Sequence, residues 1–150
     1  MMRHMEEKIL SSVNVQRNSP SENNDETLLA LARDAMKHSY SPYSSYPVGA
    51  ALLCTDGRIF QGCNIENASF GLSNCAERTA VFKAVSEGAL SFEAIAIAAN
   101  TKAWPCGACR QVLNEFSPHM RVLVTWDGHV EMMNLSDLLP GAFGPDSMHS

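Results

Sequence analysis

Two short stretches, Cys75-Ala76-Glu77 and Pro105-Cys106-Gly107-Ala108-Cys109, constrain most strongly how this chain can fold. Three thiolates can bind Zn²⁺ and leave the fourth tetrahedral position open for water, as catalytic zinc sites require. Glu77 lies two residues after Cys75, so it need not be a ligand and is free to move protons for that water. The fold must therefore bring the two stretches, about 30 residues apart, to one point.

Each stretch coincides with the predicted start of a helix. Asn74 is predicted to cap a helix over Cys75–Ser86, and a second helix is predicted over Cys106–Phe116. Cys106 and Cys109 are three residues apart and therefore share one face of its first turn. The unpaired N–H groups and the dipole at a helix start stabilise thiolates. Two helix starts that converge can thus hold a single Zn²⁺.

Arg78 adds a positive charge next to Glu77. Zn²⁺ bound by three thiolates carries a net negative charge, which makes its bound water harder to ionise. A guanidinium that donates to one of the thiolates would offset this effect. The simpler alternative is an arginine on an exposed helix face.

The other two cysteines, Cys54 and Cys63, lie in predicted strands and are most simply small buried residues. A lone Cys-x-x-Cys also occurs in redox motifs and in structural zinc sites, but a structural site would need a fourth protein ligand. The five cysteines form an odd set, and the N-terminus shows no secretory signal. This combination predicts a reducing compartment and hence a cytoplasmic protein.

Length and charge limit the classes of partner. A chain of 150 residues is predicted to form one domain with a sizeable core. The net charge is -5 and the acidic residues are dispersed, which argues against a nucleic-acid surface. No apolar run approaches the roughly 20 residues of a membrane helix. We therefore expect a small-molecule substrate and neither a nucleic acid nor a membrane as partner.

Hydrophobic patterning predicts an α/β fold. Residues 1–25 are predicted to form a flexible N-terminal arm and residues 26–150 a single catalytic domain. Asp25 is predicted to cap the first helix of that domain. The other predicted elements are strands at 48–54, 59–63, 92–99, 121–126 and 129–133, and a short helix at 136–139. Their alternation with the two cysteine helices favours a three-layer sandwich, in which helices cover both faces of a mixed sheet of about five strands.

Six stretches in order resemble the small zinc-dependent cytidine deaminases of the homotetrameric class. They are Tyr-Ser-Pro-Tyr-Ser (40–44), Val-Gly-Ala-Ala-Leu (48–52), Gly-Cys-Asn-Ile-Glu-Asn-Ala (62–68), Cys-Ala-Glu-Arg-Thr-Ala (75–80), Pro-Cys-Gly-Ala-Cys-Arg-Gln-Val (105–112) and Leu-Leu-Pro-Gly-Ala-Phe (138–143). The resemblance spans residues 27 to 143 and omits the N-terminal arm. It implies the cytidine deaminase fold.

The resemblance also implies roles for individual residues. Cys75, Cys106 and Cys109 would bind one Zn²⁺ per subunit, and Glu77 would shuttle protons. Asn64 and Glu66 resemble the pair that holds the sugar hydroxyls, which suits an amide and a carboxylate; without the resemblance they would read as a polar turn. Tyr46 stands where the family commonly has phenylalanine against the base. Phe143 resembles an aromatic residue that a neighbouring subunit contributes in a homotetramer with shared active sites.

The expected reaction is hydrolytic deamination of cytidine and 2′-deoxycytidine, with release of ammonia, as in pyrimidine salvage. A backbone carbonyl near Ala76 or in the Ser73–Asn74 loop would hold the exocyclic amine. Trp104, where a small residue is usual, and Tyr46 affect the expected pocket shape. Three alternatives remain open on the sequence: deamination of another cytosine compound such as an aminoacyl-nucleoside antibiotic, deamination of a polynucleotide, and a non-enzymatic zinc-stabilised binding module.

Overall fold

The computed structural model describes residues 20–149 of the chain. The described elements are helix α1 (Pro20–Met36), strands β1 (Val48–Cys54) and β2 (Ile59–Cys63), helix α2 (Ala76–Ser86), strand β3 (Phe92–Ala99), helix α3 (Gly107–Phe116), strands β4 (Arg121–Trp126) and β5 (His129–Asn134), and helix α4 (Leu135–Leu138). Short 3-10 turns occupy Phe70–Leu72 and Pro145–Met148. The five strands follow the sequence prediction closely, because each is a short apolar or alternating run that ends at a turn signal.

The strands form one mixed sheet in the order β2-β1-β3-β4-β5. Strands β3 and β4 are parallel, with Ile97 opposite Val124, and every other neighbouring pair is antiparallel. Because parallel neighbours need a crossover, α3 connects them and lies over the sheet. The mixed sheet and the α/β class predicted from the sequence are confirmed.

Helices cover both faces of this sheet. On one face, Leu28 and Ala32 of α1 pack against the sheet residues Ala51, Ala96 and Leu123. On the other face, α2 and α3 pack over a larger core built from the alternate strand residues. This gives the predicted three layers, and it places the starts of α2 and α3 on the same side of the sheet.

Two glycines let the helices approach the strands closely. A Cβ on Gly49 would lie 2.0 Å from the Ala32 carbonyl oxygen of α1. A Cβ on Gly62 would lie 2.5 Å from the Ala76 carbonyl oxygen, at the start of α2. Any side chain at Gly62 would therefore push away the helix that begins beside Cys75.

The start of α1 differs from the prediction. The helix begins at Pro20, so Asp25 lies within it and is not its cap. Both oxygens of the Asp25 carboxylate accept hydrogen bonds from Arg121 Nη1, at 2.7 and 2.8 Å, and this ion pair ties α1 to β4. Residues 20–25 of the predicted arm are thus helical. The rest of the arm, residues 1–19, lies outside the described residues, and the division into arm and domain stays a prediction.

The caps of the two cysteine helices also differ by one residue from the prediction. Cys75 caps α2 and Cys106 caps α3, both with extended backbone. Asn74 precedes the cap of α2 and donates to the Thr79 hydroxyl oxygen at 3.2 Å. The sequence favoured Asn74 because asparagine is a common cap. Among the described residues, none of the helices has the length and hydrophobicity needed to cross a lipid bilayer.

Candidate metal centre and active site

The three predicted zinc ligands come together at the starts of α2 and α3. The Sγ atoms of Cys75, Cys106 and Cys109 all lie within 4.8 Å of one another. Cys75 is 3.9 Å from Cys106, and Cys106 is 3.5 Å from Cys109. Three converging thiols at two helix N-termini suit a soft, tetrahedral cation such as Zn²⁺, because helix starts stabilise thiolates.

The charge distribution of the cluster fits metal binding. The pKa of the Cys75 thiol falls to about 5, because Cys109 donates a hydrogen bond to its sulfur and Arg78 lies beside it. Cys109 keeps the proton of this hydrogen bond, and the bond to Cys75 raises the pKa of the Cys109 thiol. A thiolate is thus already favoured at Cys75, and a cation that replaced the shared proton would satisfy all three sulfurs.

Glu77 lies in the first turn of α2, and its side chain is only 5% exposed. Burial raises the pKa of its carboxyl group. The carboxyl lies within hydrogen-bonding reach of the Cys109 thiol, so it faces the cluster. A buried carboxyl with a raised pKa, held beside a candidate metal site, is suited to accept and release a proton.

Arg78 contacts the cluster from the same turn of α2. Its Nη2 donates to the Sγ of Cys75 at 3.4 Å. Its Nε is buried, and in the part of the chain that the structure describes it has no hydrogen-bond partner. This contact would let Arg78 offset the electron donation of the Cys75 thiolate, and that role stays a prediction.

The predicted sugar-binding pair lies beside the cluster. The backbones of Ile65 and Asn74 are joined by two hydrogen bonds, of 3.0 and 2.9 Å. Asn74 directly precedes Cys75, and Asn64 and Glu66 are the chain neighbours of Ile65. The bridge closes the connection between β2 and α2 on itself and fixes the distance between its two ends. The structure thus places Asn64 and Glu66 in the connection that leads to Cys75.

The Asn64 side chain is largely engaged in holding its own loops. Its amide oxygen accepts from the backbone N–H of Val48 at 2.9 Å and from the hydroxyl of Ser39. Its amide nitrogen donates to the Tyr46 carbonyl at 2.8 Å. An asparagine amide has two N–H donors, so one N–H remains for a ligand.

Glu66 is anchored to the loop of residues 43–44 and borders a cavity of about 390 Å³. One carboxylate oxygen accepts from the backbone N–H groups of Tyr43 and Ser44, at 3.0 and 3.1 Å, and the other accepts from the Ser44 hydroxyl. These bonds lower the pKa of the Glu66 carboxyl, the Ser44 hydroxyl contributing most. The charged form, which accepts hydrogen bonds from hydroxyl groups, is thereby favoured.

Tyr46 and Ala76 occupy positions that refine their expected roles. The Tyr46 hydroxyl forms a 2.7 Å hydrogen bond with the Thr101 hydroxyl, which links two loops. Ala76 is the first residue of α2, and its carbonyl oxygen lies close to the Ala80 nitrogen against Gly62. That carbonyl is committed to the helix. The expected contact of an exocyclic amine with a carbonyl near Ala76 or in the Ser73–Asn74 loop stays a prediction. The Ala76 N–H, by contrast, has no partner within the helix.

Phe143 is separate from this group of residues within one chain. Its side chain is 60% exposed, so it does not pack on the core of its own chain. Its carbonyl oxygen accepts from Gln111 Nε2 at 2.7 Å and from Asn114 Nδ2 at 3.2 Å. Both donors belong to α3, the helix that carries Cys109.

Sequence reasoning missed several residues that organise the site: Ser39, Thr101, Gln111 and Asn114. Their hydrogen-bond partners lie 25 to 55 residues away in the chain. No local pattern predicts such a pairing, since hydroxyl and amide side chains at these positions are equally suited to solvent.

Comparison with known proteins gives consistent relatives. Residues 22–125 match the family model described as the cytidine and deoxycytidylate deaminase zinc-binding region. The chain is 50% identical over 127 residues to a cytidine deaminase of Sporosarcina psychrophila, covering 82% of this chain and 93% of that protein. It is 51% identical over 126 residues to a cytidine deaminase of Halalkalibacterium halodurans, covering 81% of this chain and 96% of that protein.

Solved structures give the same result. The crystal structure of a cytidine deaminase from Burkholderia pseudomallei superposes with a TM-score of 0.76 at 48% identity, covering 79% of this chain and 98% of that one. The crystal structure of a cytidine deaminase from Mycobacterium tuberculosis has a TM-score of 0.69 at 40% identity, covering 79% of this chain and 96% of that one.

Proposed function

This chain belongs to the family of zinc-binding cytidine and deoxycytidylate deaminases, and from that premise we propose that it hydrolyses cytidine and 2′-deoxycytidine to the uridines and ammonia. The observation that carries the proposal is the buried Glu77 beside the cluster of three thiols. Relatives that are about half identical over four-fifths of the chain bear the name cytidine deaminase. A role in pyrimidine salvage follows from such a reaction.

Zinc is the cofactor of the family, and Cys75, Cys106 and Cys109 would hold one ion. When bound, Zn²⁺ supplies Lewis acidity that makes a water molecule nucleophilic at neutral pH. Arg78 would keep its guanidinium on the Cys75 sulfur and reduce the electron density that this thiolate donates. The fit rests on donor chemistry, since three clustered thiols with one depressed pKa favour a soft cation.

Glu77 would move the protons of the reaction. Its carboxylate takes a proton from the attacking water and delivers it to N3 of the pyrimidine as the water oxygen bonds to C4. Glu77 then carries the second proton of the water to the amine group. The C4–N bond breaks, and the amine leaves as ammonia. Burial of Glu77 keeps bulk water from competing for these protons.

The neighbouring loops would position the nucleoside. The free N–H of Asn64 and the carboxylate of Glu66 suit the donor and acceptor character of ribose hydroxyls. The N–H of Ala76, which has no partner within the helix, would donate to the pyrimidine carbonyl. Tyr46, held by Thr101, would lie against the base.

The alternatives are less well supported. The relatives reported above are cytidine deaminases, which does not favour an antibiotic deaminase or a zinc-stabilised binding module. Measuring rates on cytidine, an aminoacyl-cytosine nucleoside and a cytosine-containing oligonucleotide under identical conditions would separate the candidates. Cytidine should be the fastest of the three; a faster rate on either other substrate would overturn the substrate assignment.

We further propose that the active protein is a homotetramer, most simply with dihedral symmetry, in which Phe143 closes over the pyrimidine of a neighbouring subunit. Two features support it. The Phe143 ring is 60% exposed on its own chain, and Cys106 of the cluster is also exposed. A site that is open on one chain would gain from a neighbour that excludes water from the reacting base.

Mixing two defective chains tests the shared site. Phe143→Ala should raise KM for cytidine by at least about tenfold, because it removes an aromatic contact with the base. Glu77→Gln should be almost inactive. After subunit exchange, some sites combine an intact Glu77 with a neighbour's intact Phe143, so activity at low cytidine concentration should partly return. Complete exchange without recovery, or an active monomer by light scattering, would contradict the shared site.

We also propose that the chain forms a single catalytic domain that begins at Pro20, with the preceding residues as an arm. We place the protein in the cytoplasm. The family match begins at residue 22, and Asp25 anchors α1 to β4. All five cysteines are free thiols, as a reducing compartment favours. Deleting residues 1–19 should leave cytidine turnover within about threefold of the intact chain. Loss of solubility or activity would show that the segment belongs to the domain.

A further inference from the structure

We propose that Gln111 and Asn114 are positioning residues that set the place of the Phe143 ring and thereby the affinity for the nucleoside. The two residues are called the amide clamp below. The inference rests on the proposed function, because it assumes that Phe143 contacts the pyrimidine. It adds to that function a pair of residues that touch no substrate.

The clamp holds one backbone atom. The Phe143 carbonyl oxygen accepts from Gln111 Nε2 at 2.7 Å and from Asn114 Nδ2 at 3.2 Å, so both of its lone pairs are used. Asn114 is 7% exposed, and a buried amide is costly to leave unpaired. Both donors lie on α3, three residues apart and therefore on one face.

The Phe143 side chain does little to hold its own segment. The ring itself is 60% exposed. Behind the segment lies a cavity of about 410 Å³ between α3, the end of α4 and residues 141–147. Because open space lies there instead of packed side chains, the clamp carries much of the restraint on the backbone of Phe143.

Gly144 is shaped to the clamp. A Cβ at this position would lie 3.1 Å from Asn114 Nδ2, which is tighter than ordinary contact, so the absence of a side chain lets the backbone approach the amide. The Gly144 N–H donates to the Ser147 hydroxyl at 3.1 Å, and the Ser147 N–H donates back to the Gly144 carbonyl at 2.9 Å. The chain is thus fixed on the far side of Phe143 as well.

The same helix ties this segment to the thiols. Arg110 donates from Nε to the Pro105 carbonyl at 2.6 Å and from Nη1 to the Leu138 carbonyl at 2.7 Å. Pro105 directly precedes Cys106, and Leu138 lies five residues before Phe143. One rigid helix therefore carries the candidate metal ligands and the clamp, so the ring of each subunit is placed by the helix that builds that subunit's own metal centre.

Asn114→Leu and Gln111→Met keep side-chain size and remove the donors. Each should raise KM for cytidine about three- to tenfold, the effect of losing one neutral hydrogen bond, and leave kcat within about twofold. Glu115→Gln is the matched control and should leave KM unchanged, because Glu115 is an exposed neighbour of Asn114 that borders the same cavity without a hydrogen bond to Phe143. Zinc content and tetramer mass should equal those of the wild type in all three.

A double-mutant cycle separates positioning from a structural role. In a Phe143→Ala background, adding Asn114→Leu or Gln111→Met should change KM by less than about twofold, because the ring they position is gone. A structural defect would raise KM equally in both backgrounds, and this result would overturn the inference. An unchanged KM in both single variants would also overturn it. If Asn114→Leu does not fold, the half-buried Gln111 gives the same cycle. A wild-type protein that does not deaminate cytidine would refute the proposed function itself, whereas an active wild type with unaffected clamp variants would refute only the clamp.

Discussion

Glu77→Gln should reduce kcat for cytidine by about 10²- to 10⁴-fold while the fold and the zinc content stay unchanged. The substitution preserves the shape of a side chain that is only 5% exposed, and it removes the group that carries protons. A neutral amide is also no costlier to bury than a carboxylate, so unfolding is not expected. Steady-state kinetics on zinc-loaded protein, with circular dichroism and elemental analysis on the same sample, measure the effect.

A carboxylate at the opposite end of the same helix provides the control for Glu77. Glu87 caps the C-terminus of α2, is exposed, and lies one turn beyond the last buried residue of that helix. Glu87→Gln should leave kcat unchanged. Wild-type activity in a zinc-loaded Glu77→Gln protein would remove Glu77 from the reaction.

Cys106→Ala should abolish stable zinc binding and, with it, activity. Two remaining thiols hold a tetrahedral Zn²⁺ poorly. Because a ligand that binds only the folded state stabilises it, the melting temperature of the zinc-loaded protein should also fall. Zinc per subunit by elemental analysis after gel filtration, and thermal melts with and without a chelator, measure the two effects.

Two other substitutions serve as controls for this prediction. Cys63→Ala removes a half-buried thiol outside the cluster and should leave zinc content unchanged. Arg78→Gln keeps all three sulfurs but removes the donor to Cys75, so zinc should remain bound while activity drops about 10- to 100-fold. Wild-type zinc content in Cys106→Ala would exclude Cys106 as a ligand.

The sequence predicted the features that depend on local pattern. Strands β1 to β4 follow short apolar runs, and the Asp-Gly turns at 56–57 and 127–128 lie between paired strands as expected. The three thiols converge as their spacing predicted, since a Cys-x-x-Cys at a helix start fixes two of them and the third needs only one neighbouring helix. The roles of the remaining site residues were predicted from the family resemblance and not from local pattern.

The features that escaped prediction depend on distant contacts. Asp25 is a good capping residue, yet it pairs with Arg121 of β4, 96 residues away, and the helix starts earlier. Asn74 was predicted to cap α2, but Cys75 is the cap, and Asn74 instead pairs through its backbone with Ile65. The clamp on Phe143 could not be predicted, since glutamine and asparagine on a helix usually face solvent.

The most direct test follows cytidine and 2′-deoxycytidine with the zinc-loaded protein and quantifies the nucleoside product and ammonia separately. The proposed function predicts uridine or 2′-deoxyuridine and ammonia in equal amounts, at a rate that falls in proportion as zinc is withdrawn and returns when zinc is restored. A folded, zinc-loaded protein that converts neither nucleoside would contradict it.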